Sequence, residues 1–202
     1  MMAMLKSIPR QRLILLSACL VGLIVLMGLI WRNASVEPVS RLPGGAFHLV
    51  DQTGKPVSEN ILKGKWSAVF FGFTYCPDVC PTTLQVLAQA QDQLGPRAKD
   101  FQVVFVSVDP GRDTPEQLAN YLSNSAFPKA TLGLTGTPAQ IAQIARAYRV
   151  VYEKSGAGSD YVVNHSTATY LMNPKGRFDR VLPLGISPEE VTRQITAAMR
   201  GA

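Results

Sequence analysis

The stretch SAVFFGFTYCPDVCPTTL, residues 67–84, decides how the rest of the chain reads. Its first seven residues, 67–73, are a short continuous apolar run. That length and the three phenylalanines favour a strand buried on both faces over a helix. After Cys80 the apolar positions change period. Leu84, Leu87, Ala88, Gln91 and Leu94 follow helical spacing, and Gly95-Pro96 ends the helix. Cys76 and Cys80 therefore fall between the end of a strand and the start of a helix, spaced C-x-x-x-C. A helix N-terminus stabilises thiolate. If residues 78–80 are already helical, both sulfurs face one side, with Cβ atoms about 5–6 Å apart. A disulfide wants about 3.5–4.5 Å, whereas two metal–sulfur bonds of about 2.3 Å each bridge the wider gap. The spacing suits a metal bite somewhat better, although a partly unwound turn would still close a disulfide.

Outward from this stretch the pattern alternates. FHLVDQTGKPV reads as a hairpin turning at residues 52–55, and FQVVFVSVD as a second buried strand. Helices are signalled at DTPEQLANYLSNS, at Thr137-Pro138-Ala139-Gln140 and at Ser187-Pro188-Glu189-Glu190, each with a capping residue followed by proline. Thr114 and Gln117 are expected to close a capping box. A short strand, TLGLTG, and a late pair, TATYLMN and FDRVLPLG, complete the set. The predicted order is hairpin, β, α, β, α, β, α, hairpin, α. It implies an α/β fold with a mixed central sheet, flanking helices and an extra N-terminal β-hairpin.

The chain has 202 residues and a net charge of +6, but the charge is uneven. Lys6, Arg10, Arg12, Arg32 and Arg41 flank an uncharged 19-residue run, residues 13–31, leaving 15 Lys/Arg against 13 Asp/Glu in residues 42–202. No basic stripe marks a nucleic-acid binder. The apolar run is about the length of a transmembrane helix, with Trp31 where an interfacial anchor would sit and cations on the side kept in the cytoplasm. The expected organisation is a cytoplasmic N-terminus (1–12), one transmembrane helix (13–31), a polar linker (32–45) and one domain (46–202). Rival readings are a cleaved signal peptide and lipidation at Cys19 in the lipobox-like Leu16-Ser17-Ala18-Cys19. All three put the domain outside the cytoplasm, where thiols tend to form disulfides. A staple over so short a loop stabilises little.

Two sulfurs seldom complete a metal site. Of the two histidines, His48 reads as a strand residue facing solvent. His165 precedes the late strand, in the loop that faces the thiol-bearing helix start in a thioredoxin-like sheet. No proline occupies that loop here, and His165 is the expected third ligand. Two thiolates and an imidazole suit Cu(I); Zn(II) and Cu(II) also fit. Asp78, between the cysteines, and Asp109, at a strand end, are accessory candidates for tuning the thiols or the metal surroundings. Asp109 and Asp113 also read as turn and cap formers. Tyr75, Tyr161 and Tyr170 read as packing residues.

FFGFTYCPDVCPTTL, VFVSVDPGRDTPEQL and DYVVNHSTATYLMNPKGRF, in this order, resemble the Sco/SenC family of membrane-anchored, thioredoxin-like copper proteins. The resemblance implies that Cys76, Cys80 and His165 bind copper. It implies delivery to the binuclear copper site of cytochrome c oxidase, with that oxidase subunit, other copper carriers and thiol reductants as partners. Its alternative role is a thiol–disulfide oxidoreductase, with Cys76 and Cys80 as a redox pair keeping the oxidase cysteines reduced. The primary role is binding without turnover. The expected location is the bacterial inner membrane, with the domain in the periplasm.

Overall fold

The computed structural model describes residues 10–33, 42–156, 158 and 161–201, with side chains of α1 (Arg10–Asn33) described at residues 11 and 14–28. The chain divides into two units, Met1–Val39 and Ser40–Ala202. The first unit contains α1, a helix of 24 residues. Its described side chains are all exposed, Leu15 at 66% and Met27 at 62% among them. Among the described residues no helix is long and apolar enough to cross a membrane. The side chains at both ends of the expected span, and most of the expected linker, lie outside what is described.

The second unit is built on a seven-stranded sheet in the order β2-β1-β5-β4-β3-β8-β9. Its centre is parallel, where β3 (Trp66–Gly72), β4 (Phe101–Ser107) and β5 (Leu132–Thr135) run side by side. Antiparallel strands flank them: β1 (His48–Asp51) and β2 (Pro56–Ser58) on one side, β8 (Thr169–Met172) and β9 (Phe178–Leu182) on the other. Every residue of β3 is buried, as its unbroken apolar run requires of a central strand. Alternation splits that strand between two cores. Val69 and Phe71 join Val104, Leu134, Ile141 and Tyr148 on one face. Ala68 and Phe70 join Phe105, Leu84, Leu118 and Ile195 on the other. The first face is covered by α4 (Pro138–Tyr148), the second by α2 (Val79–Gln93), α3 (Pro115–Leu122) and α5 (Pro188–Arg200).

The helix starts follow the expected chemistry. Thr114, Thr137 and Ser187 each accept the N3 backbone N–H, with proline at N1. The full capping box forms only at Thr137–Gln140. At α3 the Gln117 side chain instead donates to Thr74 Oγ1 at 3.1 Å, drawn to the cysteine loop. One element was not expected: β6 (Tyr152–Ser155) and β7 (Val162–His165) form a separate two-stranded sheet. His165 is thus the last residue of a strand, paired with Tyr152, rather than part of an open loop.

Candidate metal centre

The loop leaving β3 and the N-terminus of α2 supply two sulfurs. Helix α2 begins at Val79, so Cys80 lies in its first turn and Cys76 lies outside it. The condition for an i, i+4 helical pair is therefore not met at Asp78, which is the N-cap. Asp78 stands at the N-cap position, yet its side chain makes no capping bond and accepts from Thr82 Oγ1 at 3.2 Å instead. The Cys80 backbone N–H, one of the orphan donors of the first turn, points to Cys76 Sγ at 3.4 Å. Cys76 sulfur therefore does what a capping oxygen ordinarily does. The extra residue in C-x-x-x-C brings the sulfur back over the helix start.

Both thiols are free, Cys80 fully buried and Cys76 partly so. Their electrostatics diverge. The Cys80 thiol donating toward it, with the backbone N–H groups of Cys80 and Asp78, holds the Cys76 thiol down at about 5 from an ordinary 9.0, although partial burial opposes this. The same thiol–thiol hydrogen bond, together with burial, pushes Cys80 strongly upward. Cys80 seats closely because Gly72 has no side chain. A β-carbon there would stand 2.8 Å from Cys80 Sγ and 2.8 Å from Phe105 Cε2.

His165 reaches the sulfurs from across the top of the sheet. Its Nε2 lies 3.8 Å from Cys80 Sγ. Its Nδ1 lies 2.9 Å from the Ser166 carbonyl oxygen, which can only accept, so Nδ1 donates there and Nε2 is the nitrogen left to hold a metal. Phe70 and Phe73 contact the ring edge-on, with centroids at 6.4 and 5.8 Å. The ligand atoms of Cys76, Cys80 and His165 all lie within 4.8 Å of one another. Two sulfurs, one of them poised as thiolate, and one imidazole nitrogen fit a soft ion such as Cu(I). His48 is an exposed strand residue, as anticipated, and stands outside this group.

The accessory acids take different places. Asp78 is exposed. Asp109 is fully buried and is not among the clustered donors. It accepts from Arg112 Nε at 2.5 Å, Tyr161 OH at 2.5 Å and Lys154 Nζ at 3.0 Å. Burial alone would raise its pKa, but these hydrogen bonds outweigh it and hold the carboxyl below its ordinary value. Lys154 lies in β6 and Tyr161 just before β7, so Asp109 clasps the hairpin that ends in His165. Arg112 extends the clasp. Its guanidinium donates to the Tyr161 carbonyl at 3.0 Å and lies over the Tyr75 ring at 4.7 Å, beside Cys76. Tyr161 is thus more than the packing residue its sequence context suggested.

Asp113 holds the other half. Fully buried, it accepts from Ser107 Oγ at 2.6 Å, Thr74 Oγ1 at 2.7 Å and Thr74 N–H at 3.0 Å. Burial nevertheless pushes its pKa above the ordinary value. It was expected to organise its own turn, whereas it fixes the loop that carries Cys76. No local pattern links Asp113 to Thr74, because their partnership is made by the pairing of β3 with β4.

A family profile described as SCO1/SenC matches residues 37–200. The chain is 46% identical over 137 residues to the mitochondrial SCO1 homolog 1 of Arabidopsis thaliana, covering 67% of this chain and 40% of that protein. It is 39% identical over 159 residues to the mitochondrial SCO2 homolog of Homo sapiens, covering 77% and 59%. It therefore spans well under two thirds of the length of these relatives. The crystal structure of Arabidopsis thaliana ScoI with copper bound superposes with a TM-score of 0.74 at 40% identity, covering 79% of this chain and 99% of that one. With that profile running through both cysteines and the histidine, the chain belongs to the SCO1/SenC family.

Proposed function

We propose that this protein is a copper carrier of cytochrome c oxidase assembly, holding the ion through Cys76 Sγ, Cys80 Sγ and His165 Nε2. The observation that carries the reading is the convergence of these three donors within 4.8 Å, with Nδ1 of the histidine already engaged. The copper bound by the Arabidopsis relative supports the choice of ion. Each donor fits a part of the task. Cys76, already thiolate near neutral pH, captures Cu(I) without first losing a proton. Cys80 surrenders its proton as the metal arrives. Release follows by ligand exchange, as cysteines of the acceptor replace these donors one at a time. We further propose that the apolar N-terminal segment anchors the chain in a bacterial inner membrane. The unit of residues 40–202 then faces the periplasm, and the copper-site subunit of the oxidase is the acceptor.

A second reading rests on the split between the two thiols. A thiolate at the surface beside a buried partner is the arrangement of a thiol–disulfide exchanger. Cys76 would attack a target disulfide, Cys80 would resolve the mixed disulfide, and a periplasmic dithiol reductant would restore both.

Anaerobic Cu(I) titration against a chromophoric chelator separates the two. The wild type binds one equivalent tightly, His165→Ala binds at least about tenfold more weakly, and Cys76→Ser/Cys80→Ser binds none. Wild-type affinity in His165→Ala would remove the histidine from the site and favour the exchange reading.

A further inference from the structure

We infer that the end of the 40–202 unit opposite the metal centre is a docking surface for an anionic phospholipid membrane, built by Lys63, Lys65, Lys175 and Arg177. The four cations come from two segments of like pattern, Lys63-Gly64-Lys65 and Lys175-Gly176-Arg177, that lie far apart in the chain. The fold joins them. Lys63 and Lys175 are antiparallel bridge partners, and the Gly64 N–H donates to the Pro174 carbonyl at 2.9 Å. All four side chains are exposed. Among the described residues none of them enters an ion pair. Of the nearby acids, Glu59 accepts the Phe47 N–H at 3.3 Å and Asp179 pairs with Arg180 at 2.6 Å, while exposed Asp100, just before β4, shares its segment with Arg97 and Lys99.

The position of this cluster gives it meaning. Lys65 immediately precedes β3, whose seven residues run to Gly72 under Cys80. At about 3.3 Å per residue the cations and the metal centre stand about 23 Å apart at opposite ends of one strand. Because β8 is antiparallel to β3, the β8–β9 turn comes to the same end as Lys63. The chain also enters the unit beside this turn. Gly44 N–H donates to the Ala147 carbonyl at 3.0 Å, and a β-carbon on Gly44 would stand 3.1 Å from Met172 Cε, at the end of β8. Gly44, near the start of this unit, therefore lies next to the cationic end.

The chemistry of the surface selects lipid among polyanions. Single-stranded nucleic acid is held by aromatic platforms between cations, and Trp66, the neighbouring aromatic, is buried at 4% exposure. A protein interface has an apolar centre, whereas these two turns present charge, glycine, Asn173 and Pro174. A laterally extended negative surface needs neither, and each nearby lysine or arginine strengthens its binding by about fivefold. Docking this way turns Cys76, Cys80 and His165 away from the lipid and toward a partner. The inference stands on residues 40–202 alone and does not depend on copper being the cargo.

The test uses residues 40–202, which form one compact unit containing both cores. Flotation is measured with phosphatidylcholine vesicles, with and without phosphatidylglycerol. The wild type should bind only the phosphatidylglycerol vesicles, and salt should weaken this binding. Lys63→Ser/Lys65→Ser/Lys175→Ser/Arg177→Ser should lose more than about a hundredfold in partitioning, while retaining Cu(I) affinity and urea midpoint. Arg193→Ser, which removes an exposed cation from α5, should bind as wild type. Equal binding to both vesicle types, or undiminished binding by the quadruple variant, would overturn the inference. So would displacement from the vesicles by a single-stranded oligonucleotide at equal phosphate concentration.

Discussion

The loop of residues 73–80 and the β6–β7 hairpin both end at the metal centre, and different forces hold them there. The loop is set into the body of the fold. Phe73 and Cys80 belong to the two cores, Thr74 is bonded to a buried aspartate, and Cys76 takes a backbone N–H of α2. Among the described residues the hairpin's strands pair only with each other, and Val163 is its one fully buried side chain, with Tyr152 and Tyr161 packed partly buried beside it. A two-stranded ribbon is marginal alone. Its position depends on the ionic clasp of Lys154 and Tyr161 around Asp109, backed by Arg112. Two donors are therefore fixed by packing and the third by polar contacts, so the third is the easier one to displace without unfolding the domain.

Removing a packed donor should have the largest effect. Cys80→Ser is expected to abolish Cu(I) binding in competition with a chelator, and retention of one tight equivalent would break the contrast at once. Next is the difference between the thiols themselves. With its pKa lowered to about 5, Cys76 is thiolate throughout the neutral range and loses that form only as pH falls toward 5. Its alkylation rate should change less than about twofold from pH 6.5 to 9, while Cys80 stays slow throughout. A Cys76 rate rising tenfold per pH unit in that window would show an ordinary thiol.

Loosening the hairpin comes third. Asp109→Asn leaves Arg112 and Lys154 around an uncharged amide. It should lower Cu(I) affinity by about 10–100-fold and stability by about 3 kcal/mol in urea unfolding, the low end for breaking a buried pair because Lys154 is half-exposed. If the affinity falls no further than the stability loss alone explains in a well-folded sample, the clasp does not position His165. Gly72→Ala forces a β-carbon against Cys80 and Phe105. A loss of about 1–3 kcal/mol is expected, with a weaker copper site, read by thermal melting with and without Cu(I). The smallest effect is assigned to Asp78→Ala, which removes an exposed side chain bonded to Thr82. Stability should shift by less than about 0.5 kcal/mol and copper affinity by less than about twofold in the same competition assay.

The two regions also differed in how far they could be read from sequence. Residues 66–93 state their structure locally, as an apolar run, a thiol pair and a helical period, and both the strand and the helix follow. The caps at Thr114, Thr137 and Ser187 were equally plain, because each bond spans three residues. His165 was legible as a candidate donor by its rarity and its place before the late strand. The hairpin that carries it was not. Residues 152–165 lack a strict apolar alternation, since much of the ribbon faces solvent and its inward positions include Lys154 and His165. Asp113 and Thr74 were illegible together for another reason: their contact exists only once β3 and β4 pair. The cationic end was missed in the same way, because Lys63 and Lys175 meet only across a bridge.

Cys80 Sγ has no solvent-facing side. Gly72 and Phe105 back it, while Cys76 and His165 remain partly open. A nucleophile arriving from a partner can approach the ion only past the two open donors. For the transfer proposed above, the outer bonds would be traded first and the buried sulfur would let go last.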